Sequence, residues 1–439
     1  MKDTIVALAT APMKSALAIV RVSGDRALTI VSKIFSKDIS QIETSKVFVG
    51  RIDDDGSIID EVVIVAYKEP HSFTGENAVE IICHGSLLIA NSIVELLIKH
   101  GARLAINGEY SSRAFMNGKI DLIQAEAIND VINASTRESE LISMKALKGE
   151  ATSLLNPIER ELAELLAHIE ANIDYPEETD IEVATKKEIV AICKDIICKI
   201  SLLIKSGKQG RIIKEGINLV IVGRPNVGKS SILNALLNQD KAIVTSIPGT
   251  TRDLIEGEFS YKGIIYHVVD TAGLHESDDE IEKIGMNKAT KKAQEADIII
   301  VVLNEDDTVD NFNDVIKNKK TIVVYNKSDL IKNKNPDRIY ISALFKDINP
   351  LLNEINKCVG ISEDVFNNAS LNNARQIGLL EEARLNLDEA LRDAENDATV
   401  DILFVNIMAA HENISAILHG EGTIIDLEKE IFSKFCVGK

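Results

Sequence analysis

The spacing of apolar residues changes three times along the chain. In the first hundred or so positions the runs "TIVALAT", "LAIVRVSG", "EVVIVAY" and "AVEIIC" alternate apolar with polar residues, the period-two texture of half-buried strands. One segment near 86–100 spaces its apolar residues by three and four and stops at Gly101, which predicts an amphipathic helix. From about 118 the segments "DLIQAEAINDVINAS" and "IERELAELLAHIEANI" keep the helical spacing, with few Gly or Pro. From about 216 to 360 the short β-branched runs "INLVIV", "IIYHVVD", "DIIIVVL", "TIVVYN" and "IYIS" alternate with helical segments. That alternation predicts a parallel sheet with helices on both faces. Helical spacing returns in "LLEEARLNLDEALRDA" and "VDILFVNIMAAHENISAIL". The polar run "NEDDTVDNFND" at 304–314 reads as a solvated loop.

These textures predict a multidomain chain: an α+β domain at 1–117, a helical bundle in two parts at 118–215 and 363–439, and an α/β domain at 216–362 inserted between them. A length of 439 residues suits about three domains of ~150 residues each. A net charge of -19 excludes an overall basic field that would capture nucleic acid, so any RNA contact must be local or shared with a partner. The opening "MKDTIVALATAPMKSALAIVRVSG" is Ala-rich, but Asp3 spoils a basic leader region and Lys14 breaks the apolar run. No stretch approaches the ~18 uncharged apolar residues of a membrane span, and a soluble cytoplasmic protein is expected. Cys83, Cys193, Cys198, Cys358 and Cys436 are scattered without a CxxC, which argues against disulfides or zinc and for a reducing compartment.

The densest chemistry is "GRPNVGKS" at 223–230, between the strand "INLVIV" and the helix "SILNALL". This is a P-loop in its confirming context: Gly223 and Gly228 let backbone wrap phosphate, Lys229 reaches the β/γ-phosphates, and Ser230 ligates Mg²⁺. Asn226, Val227 and Ser231 complete the expected nucleotide contacts. "NKSD" at 326–329 follows the strand "TIVVY", and the Asp329 carboxylate can accept both the N1–H and N2–H₂ bonds that guanine offers and adenine does not. Asn326, Lys327, Ser342 and Ala343 are expected around the same base. In "DTAG", Asp270 is placed to hold the Mg²⁺ shell, and Gly273, with Thr271 and Ala272, to meet the γ-phosphate. "TTRD" at 250–253 lies between these motifs, as a switch loop should, with Thr251 the candidate Mg²⁺ contact. Order and context together identify a GTPase.

Its hydrolytic machinery departs from the Ras pattern. Leu274 follows the D-x-x-G glycine where Ras-type proteins carry a water-orienting Gln. Acidic residues follow at Glu276, Asp278, Asp279, Glu280 and Glu282, most of them the solvated face of a switch helix and one a candidate base. Asn226 offers an oxygen where a monovalent cation could sit beside the phosphates.

The P-loop, TTRD, DTAGL and NKSD motifs, the helical flanks, "SFTGENAVEI", "RAFMNGKIDLIQAEAI" and the terminal "FCVGK" together resemble the bacterial tRNA-modification GTPase family called MnmE or TrmE, over essentially the whole chain. The fold that this resemblance implies is a folate-binding-like α+β N-terminal domain, a helical bundle and an inserted Ras-like P-loop GTPase domain. It implies a homodimer that hydrolyses GTP with K⁺ and Mg²⁺. Asn226, Thr245, Ile247 and Thr250 match the potassium positions; Ser246, Pro248 and Gly249 lie in the same switch stretch, and Glu282 matches the water-positioning carboxylate. Arg21, Glu80, Lys119 and Lys439 match contacts to a tetrahydrofolate one-carbon derivative (5-formyl or 5,10-methylene form). The family acts with an FAD-dependent partner, MnmG or GidA, in a heterotetramer or larger complex, to place an aminomethyl or carboxymethylaminomethyl group on C5 of the wobble uridine, position 34, of certain tRNAs. Here "APMKSAL" stands where the family is glycine-rich, and "SAL" at 342–344 replaces the usual "SAK" or "SAR".

Cys436 has two readings. Beside Phe435 and near Ile431 and Phe432 it is a small hydrophobe tucking down the tail; by the resemblance it is a thiol required at the one-carbon site. The Lys439 ending disfavours a prenylation box. Cys83 and His84 are adjacent on a strand, point to opposite faces and are read as structural. Arg113, Lys119 and Arg137 are the candidate RNA-phosphate contacts, a weak set in so acidic a chain. Two other functions share the motifs: an RNA- or ribosome-binding GTPase acting as an assembly checkpoint, and a GTPase regulating a membrane transporter.

Overall fold

The computed structural model describes residues 3–174, 186–238, 257–270, 296–361, 364–420 and 431–438. Backbone contacts divide the chain into two units, one made of 1–129, 147–184 and 397–439, the other of 130–146 and 185–396.

The first unit is built on a six-stranded sheet in the order β3-β4-β5-β2-β1-β6. Its strands are β1 (Ile5–Leu8), β2 (Leu17–Ser23), β3 (Lys46–Asp54), β4 (Ser57–Tyr67), β5 (Ala78–His84) and β6 (Arg103–Leu104). All pair antiparallel except β1 with β6. Alternation does the sorting: Ala18, Val20 and Val22 of β2 and Val79, Ile81 and Cys83 of β5 join one core with α1 (Ala27–Ser32) and α2 (Leu87–Lys99). Arg21, Ser23 and Glu80 are carried to the opposite face. There Ile5 and Ala7 pack with Ala105 and with Tyr110 of α3 (Glu109–Met116). Strands β3 and β6 were not marked by the sequence pattern; β3 is an edge strand with Val47 and Val49 about two-thirds exposed.

The same unit pairs α6 (Thr152–Asp174) with the helix Val400–His419. That last helix is long and apolar enough to cross a membrane by length and composition, but Asp401 and Glu412 interrupt it, so no uncharged run of the expected length occurs, and it buries Leu403, Ile407, Ala410 and Ile414 at helical spacing. Residues 431–438 fold back onto the N-terminal layer. Ile431, Phe432 and Phe435 bury themselves with Leu122 and Ala125 of α4 (Leu122–Asn133), and the Phe432 and Phe435 rings meet edge-on at 5.5 Å.

The second unit contains the other sheet, in the order β12-β11-β10-β7-β9-β8: β7 (Ile217–Gly223), β8 (Gly257–Tyr261), β9 (Ile264–Asp270), β10 (Ile298–Leu303), β11 (Lys320–Tyr325) and β12 (Ile339–Tyr340). The expected parallel sheet is found, with one correction. The edge strand β8 runs antiparallel to β9 through a two-residue turn at Lys262 and Gly263, both at positive φ, the geometry that matches strand twist in tight hairpins. On one face α8 (Lys229–Leu237) and the helix Asn349–Val359 supply Ile232, Leu236, Leu351 and Ile355 to the core. On the other, Val220, Val222, Ile299 and Val301 pack with Phe312, Val315 and Ile316. The run 304–314 is therefore not simply a loop: it turns as a 3₁₀ segment at Val309–Phe312 into the short helix Asn313–Ile316. The unit also holds α5 (Arg137–Leu147), the 30-residue α7 (Lys186–Glu215) and the helix Ala374–Glu395 packed along it.

Candidate functional site

At the carboxyl end of β7 the chain enters a loop that only a specific backbone can close. Asn226 and Gly228 both take positive φ, at 63° and 98°, which turns successive amide groups inward as an anion-binding nest ahead of α8. Lys229 is the first residue of that helix and is buried; its Nζ donates to Gly223 O at 2.9 Å and Arg224 O at 3.0 Å, spanning the loop. Ser230 and Ser231 follow at the exposed helix start, and Val227 is fully buried and anchors the loop.

A second loop locks onto the first. Asn326 Nδ2 donates to Val227 O at 2.8 Å, while Asn326 Oδ1 accepts from the Ala343 N–H at 3.2 Å. Lys327 Nζ donates to Asn226 O at 2.9 Å. The Ser342 hydroxyl donates to Asp329 Oδ1 at 2.6 Å, which fixes the exposed carboxylate in orientation. Seven expected nucleotide residues are thus brought into one hydrogen-bonded frame at the carboxyl edge of the sheet. Gly228 has to be glycine, because a Cβ there would run into Asn326 Nδ2. Asp270 ends β9 opposite Ile221, on the same edge. Thr245, Ser246, Ile247, Pro248, Gly249, Thr250, Thr251, Thr271, Ala272, Gly273 and Glu282 lie outside the described residues, as does Lys439. The nest, the committed lysine and the oriented aspartate fit a guanine nucleotide with its phosphates over α8.

A different site occupies the sheet of the first unit. Arg21 of β2 stands directly across from Glu80 of β5, a cross-strand pair in which Nε and Nη2 both donate to Glu80 Oε1, at 3.0 and 2.7 Å. Arg21 Nη1 donates to the carbonyl of Gly438 at 3.0 Å, so the tail is tied to the pair. Beside them opens a cavity of about 220 Å³, lined by Arg21, Ser23, Tyr67, the loop 71–74, Ala78, Glu80 and Tyr110. Burial, then the neighbouring Glu80 carboxylate, pushes the Tyr67 phenol up. Burial does the same to Tyr110, whose hydroxyl donates to Arg21 O at 2.7 Å. Lys119 does not line the cavity; its Nζ donates to Pro70 O at 3.1 Å and braces the loop from outside. Cys436 is exposed, and its carbonyl accepts from the Gly108 N–H at 3.4 Å.

Arg113, a candidate RNA contact, is instead one of the most deeply buried side chains, at 1% exposure. It donates to Glu76, Glu109 and the Asp3 carboxylate. A guanidinium enclosed by three carboxylates serves the interior and is unavailable to phosphate. The sequence pattern did not mark Ser23, Thr74, Glu76, Tyr67 or Tyr110 as site residues; only the "FTGE" block at 73–76 hinted at this loop.

Comparison with known proteins adds an independent finding. The family model described as MnmE helical domain matches residues 122–436, and the one described as GTP-binding protein TrmE N-terminus matches residues 4–119. The tRNA modification GTPase MnmE of Bacillus licheniformis is 38% identical over 459 residues, covering 100% of both chains. That of Ureaplasma parvum serovar 3 is 39% identical over 446 residues, again with 100% of both covered. Among solved structures, Aquifex aeolicus Era bound to GDP and AlF4⁻ is similar over 39% of this chain and 66% of that one, at 24% identity and a TM-score of 0.27.

Proposed function

The chain belongs to the MnmE family of tRNA modification GTPases, and from that premise we propose that its GTP hydrolysis is stimulated by K⁺ and drives one-carbon modification of the wobble uridine of tRNA. That the enzyme binds and hydrolyses GTP follows from its family; the cation, the donor and the partners are our reading. The observation that carries it is the joined frame of Asn226, Asn326, Lys327 and Asp329, which sets a guanine-reading carboxylate at a fixed reach from a phosphate nest. Ser230 at the start of α8 and Asp270 at the end of β9 would hold Mg²⁺, which supplies charge neutralisation at the phosphates. Asn226 is the one potassium candidate among the described residues; Thr245, Ile247, Thr250 and Thr251 complete the proposed cation set and Glu282 the water-positioning role.

In the first unit, the Arg21–Glu80 pair supports a tetrahydrofolate one-carbon derivative as ligand, with Lys119 bracing the loop and Lys439 a further proposed contact. Cys436, exposed two residues before the carbonyl that Arg21 holds, is the proposed thiol of the modification step. A homodimer working in the cytoplasm with an FAD-dependent MnmG-type partner completes the proposal. The test is GTP turnover in K⁺ against Na⁺ at equal ionic strength, with Asn226→Ala alongside. A K⁺ preference lost in the variant, with nucleotide still bound, is expected; equal rates in both salts would refute the cation reading.

A further inference from the structure

The cavity floor has a fixed hydrogen-bond direction. Ser23 Oγ donates to Glu76 Oε2 at 2.8 Å. A hydroxyl has one proton, so the 2.7 Å contact between Ser23 Oγ and Thr74 Oγ1 must be donated by Thr74. Thr74 Oγ1 in turn accepts from the Glu76 N–H at 3.3 Å, and Ser72 Oγ donates to Glu76 O at 2.5 Å. The two phenols are committed as well: Tyr67 donates to Glu80 Oε2 at 3.4 Å and Tyr110 to Arg21 O at 2.7 Å. All five hydroxyls therefore spend their protons on protein acceptors, so none of them offers a donor to the cavity. Glu76 is the hinge of this arrangement, since it takes the Ser23 proton while Arg113 Nη1 holds its carboxylate at 3.1 and 3.2 Å.

We propose that Glu76, clamped by Arg113, is a positioning residue that makes the cavity floor an acceptor surface selective for an uncharged heterocycle bearing N–H donors. This deepens the folate reading and rests on it: the ring end carrying amino and amide N–H groups enters the cavity, and the one-carbon end faces outward. An anionic group gains little from Arg21, whose charge is already neutralised by Glu80.

Glu76→Gln tests this in the full chain. The carboxamide keeps its size and can still accept from Arg113 through Oε1, while its Nε2 donates to Ser23 Oγ and sends the hydroxyl proton back toward the cavity. The probes are 5-formyltetrahydrofolate and its 2-desamino analogue, titrated by calorimetry. Wild-type protein is expected to prefer the amino form by about tenfold, the weight of one neutral hydrogen bond, and Glu76→Gln to reduce that preference to about threefold or less. Simple collapse of the cavity lowers both affinities together and leaves their ratio alone, so an unchanged ratio overturns the inference. Wild-type binding of neither probe overturns the folate reading as well. Should circular dichroism show Glu76→Gln unfolded, Ser23→Ala, which leaves the Arg113 cluster intact, decides in the same way: a lost preference supports the assignment and a retained one overturns it.

Discussion

Replacing Gly228 by Ala should act through its neighbour rather than through the phosphate. The new Cβ enters the space of Asn326 Nδ2, the group that ties the base-reading loop to Val227 O at 2.8 Å, and it sits on a backbone at φ 98° that alanine avoids. Left-handed strain costs about 1–3 kcal/mol, and loss of the Asn326 bond adds roughly 1 kcal/mol. Without nucleotide the loop can relax, so the cost falls on the bound state, and affinity for a fluorescent GDP analogue should drop by roughly thirty- to a thousandfold. Asn326→Ala alone should weaken binding by about tenfold, because it leaves the Val227 carbonyl and the Ala343 amide without partners. The informative variant is the double one. Truncating Asn326 makes room for the Cβ, so Gly228→Ala with Asn326→Ala should bind at least about 1 kcal/mol tighter than the sum of the single effects. Strict additivity, measured by equilibrium titration at one salt and Mg²⁺ concentration, would refute the claim that the two loops are locked through this contact.

Two further outcomes follow from burial and charge. Maleimide at neutral pH should modify the exposed Cys198 and Cys436 quickly while sparing Cys83 and Cys193, because burial pushes the Cys83 thiol up and the Cys193 thiol up to about 12; native-state labelling of Cys193 at the Cys198 rate, read by peptide mass, would contradict the packing of α7. Glu109 and Asp3 feel burial, which raises them, but Arg103 and Arg113 outweigh it and hold both below the usual carboxylate range. Depressed folded values stabilise fully above the unfolded values near ~4, and that stabilisation is lost as pH falls through the folded ones. The first unit should therefore lose melting temperature steeply below about pH 4, and Arg113→Met should flatten that dependence; parallel melting curves would argue against the network.

How much could be read from sequence depends on how local each interaction is. Strand β10 was legible because all six of its residues are apolar and buried, and the P-loop because its chemistry is spelled within eight consecutive positions. Strand β8 was not, since "GEFSY" is short, alternates weakly and turns through Lys-Gly without an Asn or Asp signal. Edge strand β3 was missed for a related reason: its pairing with β4 is a backbone matter, while its side chains are largely exposed. The cavity was half legible. Arg21 and Glu80 came from family motifs, yet the floor depends on register between β2 and β5, on a loop fastened by Arg113 from α3, and on a carbonyl from the tail. Arg113 was misjudged because charge alone says "surface" unless its three carboxylate partners are known to converge on it.

The hydrogen bond from Arg21 to Gly438 joins positions 417 residues apart, and this separation sets a clock during synthesis. At about 5–20 residues per second a ribosome needs roughly 20–80 s to deliver the second partner after the first. Until then the N-terminal sheet waits with Arg21 short of one acceptor, and with Leu122 and Ala125 lacking the apolar cover of Phe432 and Phe435. An interrupted polypeptide carries every residue that lines the cavity but leaves Arg21 without its tail acceptor. The last contact on the Arg21–Glu80 pair is thereby made only after the intervening sequence, GTPase segment included, has been synthesised.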